Sequence, residues 1–488
     1  MSAAAPTYVL SRWLFLRLLG LVYLVAFASL AVQIVGLVGA HGLLPAAQFL
    51  QWARSIYGPD VHQMLPTIFW FGASDAALRG VAWAGAGLSL LVILDVAPLV
   101  TLAVLWVLYL SLTIAGQDFL GFQWDALLLE AGLLAVLWAP GNWLPLATRR
   151  MPSPLVRWVL VLLVVKLLFL SGITKLLSGD PTWRHATALE YHFFTQPLPT
   201  WLGWYAAKLP DGVLRAMTAG SVAVEVIAPW LLLAPARLRR VRLAGASALV
   251  LLQLGIAATG NYGFFNLLAV VLLVPALDDA TLSRWLPVRI AAPERESEAR
   301  RFVIAFVAPA LLGLSFLSFA REIAYTVPRG RAVGYFPRWA GQALGVVAPF
   351  RAVNGYGLFR VMTTERPELV IEGSNDDEHW SEYVFRYKPG PLDRRPSFVA
   401  PHQPRLDWQM WFAALDPRGS AGWLSTLLDR LRAGTPEVLA LLGRNPFPDA
   451  PPRYVRVVGY EYRFSTAEER RRTGAWWARE ALGPLFAP

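Results

Sequence analysis

Apolar residues fall in long unbroken runs through the first two-thirds of the chain and in short alternating runs through the last third. The long runs lie at about 13–38, 77–97, 98–115, 125–143, 155–177, 215–235, 243–260, 263–280 and 301–320. Each is near the length of about 18 residues or more that a helix needs to cross a bilayer, so they predict nine spans. Asp95 and Pro98 in "LDVAP" mark a tight turn between the second and third. The stretches 41–72 and 180–212 are broken by Pro, Trp and His and read as loops or interfacial helices. Beyond about residue 321 the period shortens towards two in "YGLFRVM", "PELVIEGS", "SEYVFRYK" and "RYVRVVGYEYRF", the mark of half-buried strands. Between them, 404–415 and 420–443 read as helices, the second carrying Leu424, Leu427, Leu428 and Leu431 at helical spacing. The fold class is a polytopic α-helical membrane bundle over 1–320, followed by a β-rich, α+β, sandwich-like extramembrane domain over 321–488.

Composition agrees: 56% of residues are hydrophobic and 16% charged, against about a quarter charged in soluble domains. The first run carries Arg17 and Gln33 without a small-residue cleavage site, which argues against a removable signal peptide. The net charge of +11 is placed in short loops rather than on a binding face, so nucleic acid is not an expected partner. Arg149, Arg150 and Arg157 precede the fifth span; Arg237, Arg239, Arg240 and Arg242 precede the seventh; Arg284, Arg289, Arg295, Arg300 and Arg301 precede the ninth. With nine spans these loops share one face with the N-terminus, and short Arg-rich loops belong to the cytoplasm. The loops 39–76 and 178–214 and the C-terminal domain then face the other side. With no cysteine, disulfides and thiol chemistry are excluded. No cofactor or metal signature is present. The acids Glu372, Asp376, Asp377 and Glu378 in "IEGSNDDEHW" lack calcium-loop spacing and read first as a turn between strands.

Two segments carry candidate chemistry. "LSGITKLLSGDPTWRHATALEYHFFTQPLP" places Lys175 near the outer end of the fifth span, with Asp180, Trp183, Glu190 and His192 just beyond it. Glu225 in the sixth span is a possible partner for Lys175 or for the deeper Lys166, and Asp118, Asp125 and Glu130 crowd neighbouring span ends. Ionisable groups in a span are costly, so these residues predict a polar pocket opening outward. Lys175 either pairs structurally with Asp180 or, desolvated, acts as a base with Asp180 and His192 beside it. The clustering at one face argues against a transport path across the midplane.

The second segment is "PHQPRLDWQMWFAAL". Pro401 and Pro404 hold the entry extended, and a helix begins after Pro404. It reads first as a buried amphipathic helix clamped onto the sheet by an ion pair, with Arg405 able to make a two-bonded carboxylate contact and Asp407 meeting the helix dipole. The second reading is a client-binding surface of Arg405, Asp407, Trp408, Trp411 and His402, since Trp and Arg anchor many interfaces. His402 has no nucleophile beside it, which leaves catalysis the weakest reading.

"VNGYGLFRVMTTERPELVIEGSNDDEHWSEYVFRYKPG", followed by "RRPSFVAPHQPRLDWQMWFAAL", resembles the C-terminal signature of the lipase maturation factor family. The similarity extends through "WLFLRLLGLVYLVAFASLAVQIVGLVGAHGLLPA" and "GITKLLSGDPTWRHATALEYHFFTQPLPTWLGWYA", and so over nearly the whole chain. The absence of cysteine and the compact loops look like a bacterial-type member. Animal members are endoplasmic-reticulum membrane proteins needed for dimeric lipases to fold, with a lumenal C-terminal domain. The resemblance therefore implies a non-enzymatic folding factor in a bacterial inner membrane or an endoplasmic-reticulum-like membrane, with a secreted client, a lipase in particular, as partner. The Gly, Lys-Leu, Asp and Trp of "GITKLLSGDPTW" are also similar to a membrane segment of vitamin K-dependent γ-carboxylases. That implies the alternative: a membrane enzyme using Lys175 as base on a lipophilic substrate.

Overall fold

The computed structural model describes residues 6–144, 151–286, 297–327 and 336–486. Of the arginines that orient the chain, Arg149, Arg150, Arg289 and Arg295 lie outside the described residues. Seven helices are long and apolar enough to cross a membrane: α1 (Val9–Ala31), α2 (Asp75–Ile93), α3 (Pro98–Ala115), α5 (Pro154–Leu177), α6 (Asp211–Leu231), α7 (Arg239–Thr259) and α9 (Glu298–Thr326). Two of the nine expected spans are shorter than a full crossing. One is α4 (Gln123–Trp138). The other is α8 (Phe265–Val271), continued by a 3-10 turn at Val274–Ala276.

Long-range contacts sort the helix ends into two groups. At the N-terminal end the Asp279 carboxylate accepts hydrogen bonds from the backbone N–H groups of Val9, Leu10 and Ser11 at 2.9, 2.8 and 3.2 Å. These are the donors a helix start leaves unsatisfied, and the carboxylate also meets the positive end of the helix dipole. Arg242 binds Asp278 at 2.7 Å and donates to the Tyr8 hydroxyl, while Arg157 lies 4.1 Å from the Tyr8 ring centre. Arg17 pairs with Asp95, and Arg300 donates to the carbonyls of Val136 and Leu137. Arg157, Arg242 and Arg300 therefore share one end of the bundle.

The C-terminal domain sits on the opposite end. Its four-stranded antiparallel sheet has the order β2 (Ser381–Glu382), β1 (Pro367–Ser374), β5 (Tyr454–Phe464), β6 (Trp477–Phe486). Val370 faces Val458 in the central pair. A two-stranded ribbon joins β3 (Val384–Phe385) to β4 (Leu442–Arg444). β1 is buried on both faces, and α10 (Arg405–Leu415) packs against it. The expected 420–443 helix is α11 (Ala421–Arg432) followed by the turn Pro436–Leu439. "YGLFRVM" is irregular rather than a strand, with Phe359 in the left-handed region at φ 55°. β6 had no counterpart among the expected strands.

Candidate functional site

Among the buried ion pairs at the end of the bundle beneath the C-terminal domain, two stand beside the candidate segments. The first is a seam. Arg405 Nη1 and Nη2 grip the two oxygens of Asp125 at 2.5 and 2.7 Å, and neither side chain is more than 1% exposed. The Tyr109 hydroxyl donates to the same carboxylate at 2.5 Å, and Arg405 also reaches the Phe119 carbonyl at 3.1 Å. A planar guanidinium matches a carboxylate in this two-bonded manner, and the further hydrogen bonds offset part of the desolvation cost. Trp408 fills the adjoining space, edge-on to Trp124 at 4.8 Å and near Phe122 and Tyr262. Gln33 of the span-and-turn region after α1 accepts from the Arg405 N–H and donates to the Gln403 carbonyl.

The remaining residues of the segment are used internally. Asp407 accepts from the backbone N–H groups of Tyr387 and Lys388, at 2.8 Å each, and burial raises its pKa. The Trp411 indole donates to the Thr195 carbonyl at 2.8 Å. His402 Nδ1 lies 2.9 Å from the Ser29 hydroxyl. Burial, then Arg405 and Arg386, push His402 down to about 4. With Arg405, Asp407, Trp408 and Trp411 all buried and His402 half-buried, these five residues form no exposed client surface in this structure. The arginine's ion pair runs to Asp125 in the bundle and not to the sheet.

The second pair borders a cavity. Lys175 Nζ meets Glu225 Oε2 at 2.5 Å, and the two side chains are 9% and 7% exposed. The expected Lys175–Asp180 pair does not form. Asp180 instead caps the turn at Pro181, accepting from the N–H and hydroxyl of Thr182 and from the Met362 N–H at 2.7 Å. Glu190 pairs with the exposed Arg215 at 3.1 Å, and neither Glu190 nor Asp180 lines the cavity. Lys166 pairs with Glu130 at 2.7 Å, and Glu130 also accepts from the Tyr356 hydroxyl.

The cavity has a volume of about 670 Å³, lies among α5, α6, α7 and the short helix Ala188–Thr195, and is lined almost wholly by apolar side chains. Lys175, Trp183, His192 and Glu225 all line it, with Tyr262 and Phe359. The Lys175 ammonium lies 4.9 Å from the Trp183 ring centre, and the Trp183 indole donates to the Phe359 carbonyl. His192 is pushed down to about 3 by burial and then by Lys175, so its ring is neutral at physiological pH. Tyr262 donates its hydroxyl proton to Gln196 at 2.8 Å and lies 3.2 Å from His192 Nε2. The hydrogen-bond pattern therefore assigns the proton to Nε2, leaving Nδ1 as an acceptor with no partner among the described residues.

A third anchor escaped the sequence reading. Arg366 is 1% exposed, pairs with Glu368, and donates to the carbonyls of Phe194, Gln196 and Pro197. A single arginine before a proline carries no periodic signal of such a role. The acids of "IEGSNDDEHW" do not converge: Glu372 turns to Arg456 at 2.8 Å, while Asp376 accepts from the N–H groups of Glu378 and His379 within its turn. No group of three or more His, Asp or Glu suited to a metal occurs among the described residues.

The lipase maturation factor transmembrane domain matches residues 10–284, and the lipase maturation factor C-terminal domain matches residues 352–487. Similar proteins include lipase maturation factor 2 of Gallus gallus, 35% identical over 97% of this chain and 80% of the relative. The Homo sapiens lipase maturation factor 2 is 35% identical over 98% of this chain and 82% of its own length. Lipase maturation factor 1 of Bos taurus is 33% identical over 99% of this chain and 90% of its own length. No solved structure matches.

Proposed function

Since the chain belongs to the lipase maturation factor family, we propose that this integral membrane protein is a folding and maturation factor for secreted clients, lipases in particular. It presents its C-terminal domain on the extracytoplasmic side. The observation that carries this reading is similarity to named maturation factors along nearly the full length, covering the bundle and the domain seated on it. The orientation draws support from Arg157, Arg242 and Arg300, which gather at the end opposite that domain. All nine apolar segments count as spans in this reading, the two short ones being enclosed by their neighbours.

Two measurements test it. Removing the protein from its native membrane should lower the yield of active secreted lipase without lowering lipase synthesis, and restoring it should return that yield. Crosslinking in the intact membrane should then recover the lipase on the C-terminal domain; recovery on the opposite face, or unchanged lipase activity, speaks against the proposal. A reporter active only in the cytoplasm, fused after Pro488, should stay silent.

A further inference from the structure

We propose that the cavity beside Lys175 and Glu225 is a binding site for an uncharged single-chain lipid with a hydroxyl head, such as a fatty alcohol or a monoacylglycerol. This goes beyond the folding role and does not depend on it.

Access comes first. Met217 and Leu251 on the wall are 40% and 68% exposed, and both lie on membrane-spanning helices. The cavity therefore opens sideways between α6 and α7, towards acyl chains rather than water. Its volume of about 670 Å³ falls within the roughly 300–1,000 Å³ usual for small-molecule sites. The C-terminal segment Leu358–Phe359 forms part of the wall, and Phe359 packs edge-on to His192 at 4.9 Å.

The head group follows from the polar residues. Lys175 gives one N–H bond to Glu225 Oε2 and retains two further protons, while Glu225 Oε1 makes no hydrogen bond among the described residues. This set offers donors and acceptors together and is already balanced in charge. A hydroxyl, which both donates and accepts, satisfies it. A carboxylate cannot donate to Glu225 and would bring a second negative charge into an apolar site. An ester without a hydroxyl leaves the Glu225 acceptor unmet.

The test uses the full-length protein in nanodiscs with four probes sharing one chain: oleyl alcohol, monooleoylglycerol, oleate and methyl oleate. Each probe competes with a photoreactive oleyl alcohol whose crosslinks are mapped by mass spectrometry. Labelling should fall on α6 and α7 near Met217 and Leu251, and oleate and methyl oleate should compete about ten-fold more weakly than at least one hydroxyl-bearing probe. Which of the two hydroxyl probes competes better separates a fatty alcohol from a glyceride.

Gly220 and Gly255 line the cavity, and a Cβ added at either meets no atom within 4 Å. Gly220→Trp and Gly255→Trp should each reduce labelling by about ten-fold or more while leaving the melting curve in place. The paired change Lys175→Met with Glu225→Gln should erase the preference for hydroxyl over ester. Equal competition by all four probes overturns the head-group assignment. Undiminished labelling in both tryptophan variants overturns the site and leaves only lipid at the protein surface.

Discussion

Two of the buried ion pairs at the C-domain end, Arg405–Asp125 and Lys175–Glu225, are alike in chemistry and unlike in surroundings. Arg405–Asp125 is sealed by Tyr109, Phe119, Phe122, Trp124 and Trp408, with hydrogen bonds on several sides. Lys175–Glu225 is just as short but borders a cavity of about 670 Å³ and has open hydrogen-bonding capacity. A buried pair packed on all sides joins two parts of a fold, because removing either charge strands the other in low dielectric. A buried pair beside unfilled space has a polar face left over for something else. The contrast separates scaffold from site without recourse to the identity of the residues.

The largest effect is expected at the seam. Arg405→Ala strands the Asp125 carboxylate and opens the contact between domain and bundle, which should cost about 3–5 kcal/mol. Trp408→Ala removes the ring packed on Trp124 and should cost a comparable 3–5 kcal/mol. Either loss rivals the whole stability of a modest domain, so folded yield and melting temperature in detergent should fall sharply for both. Were Arg405→Ala to fold and melt like wild type while lipase maturation failed, the seam would be a client surface and the contrast with the cavity would collapse.

How far the sequence revealed these two sites follows from what sequence patterns encode. The helix at Arg405–Leu415 and the long apolar helices are periodic features, and periodicity is local. The grouping of Lys175, Trp183, His192 and Glu225 around one space had a local cue too, since charges within apolar runs are few enough to suggest one another as neighbours. Pairing is another matter. Arg405 and Asp125 are 280 positions apart, and nothing in either neighbourhood specifies the other. Asp180 looked like the partner of Lys175 because it is near in sequence, yet helix geometry makes it a cap. The irregular path of "YGLFRVM" was hidden for a similar reason: Tyr356 reaches Glu130 and Phe359 adopts a left-handed turn against the bundle, so tertiary contacts override an alternating pattern.

Acid should distinguish the folded state from its unfolded reference next. His192 and His402 are held near 3 and 4 in the folded protein, against about 6.5 when exposed. A histidine whose folded pKa is depressed binds its proton more readily when unfolded, so stability is full above about 6.5 and is lost as pH falls towards the folded value. Between pH 7 and 5 each contributes a loss of roughly 2 kcal/mol. Asp407, raised by burial, works in the opposite sense: its folded form takes up a proton first, which returns some stability as pH falls. The net expectation is a lower melting temperature at pH 5 than at pH 7. His402→Gln, which keeps a polar side chain beside Ser29 but cannot titrate, should remove part of that slope. An unchanged slope in this variant would show that His402 is not buried neutral at the seam.

The smallest expected effect is the most discriminating between the two pairs. Changing Lys175 to Met and Glu225 to Gln together removes both charges at once, so neither is stranded. Beside a cavity the new side chains have room to settle, because no tight packing has to be rebuilt on that side. The double variant should therefore melt within about 1 kcal/mol of the wild type. Lys175→Met alone leaves the Glu225 carboxylate uncompensated and should cost clearly more. The equivalent paired change at Arg405 and Asp125 should not be neutral, since it also abandons the Tyr109 hydroxyl and the Phe119 carbonyl. Thermal melts of both double variants beside their singles give the coupling energy at each site. If Lys175→Met with Glu225→Gln unfolds the protein as readily as the seam variants do, the ion pair by the cavity is structural cement, and the two sites differ only in the space beside them.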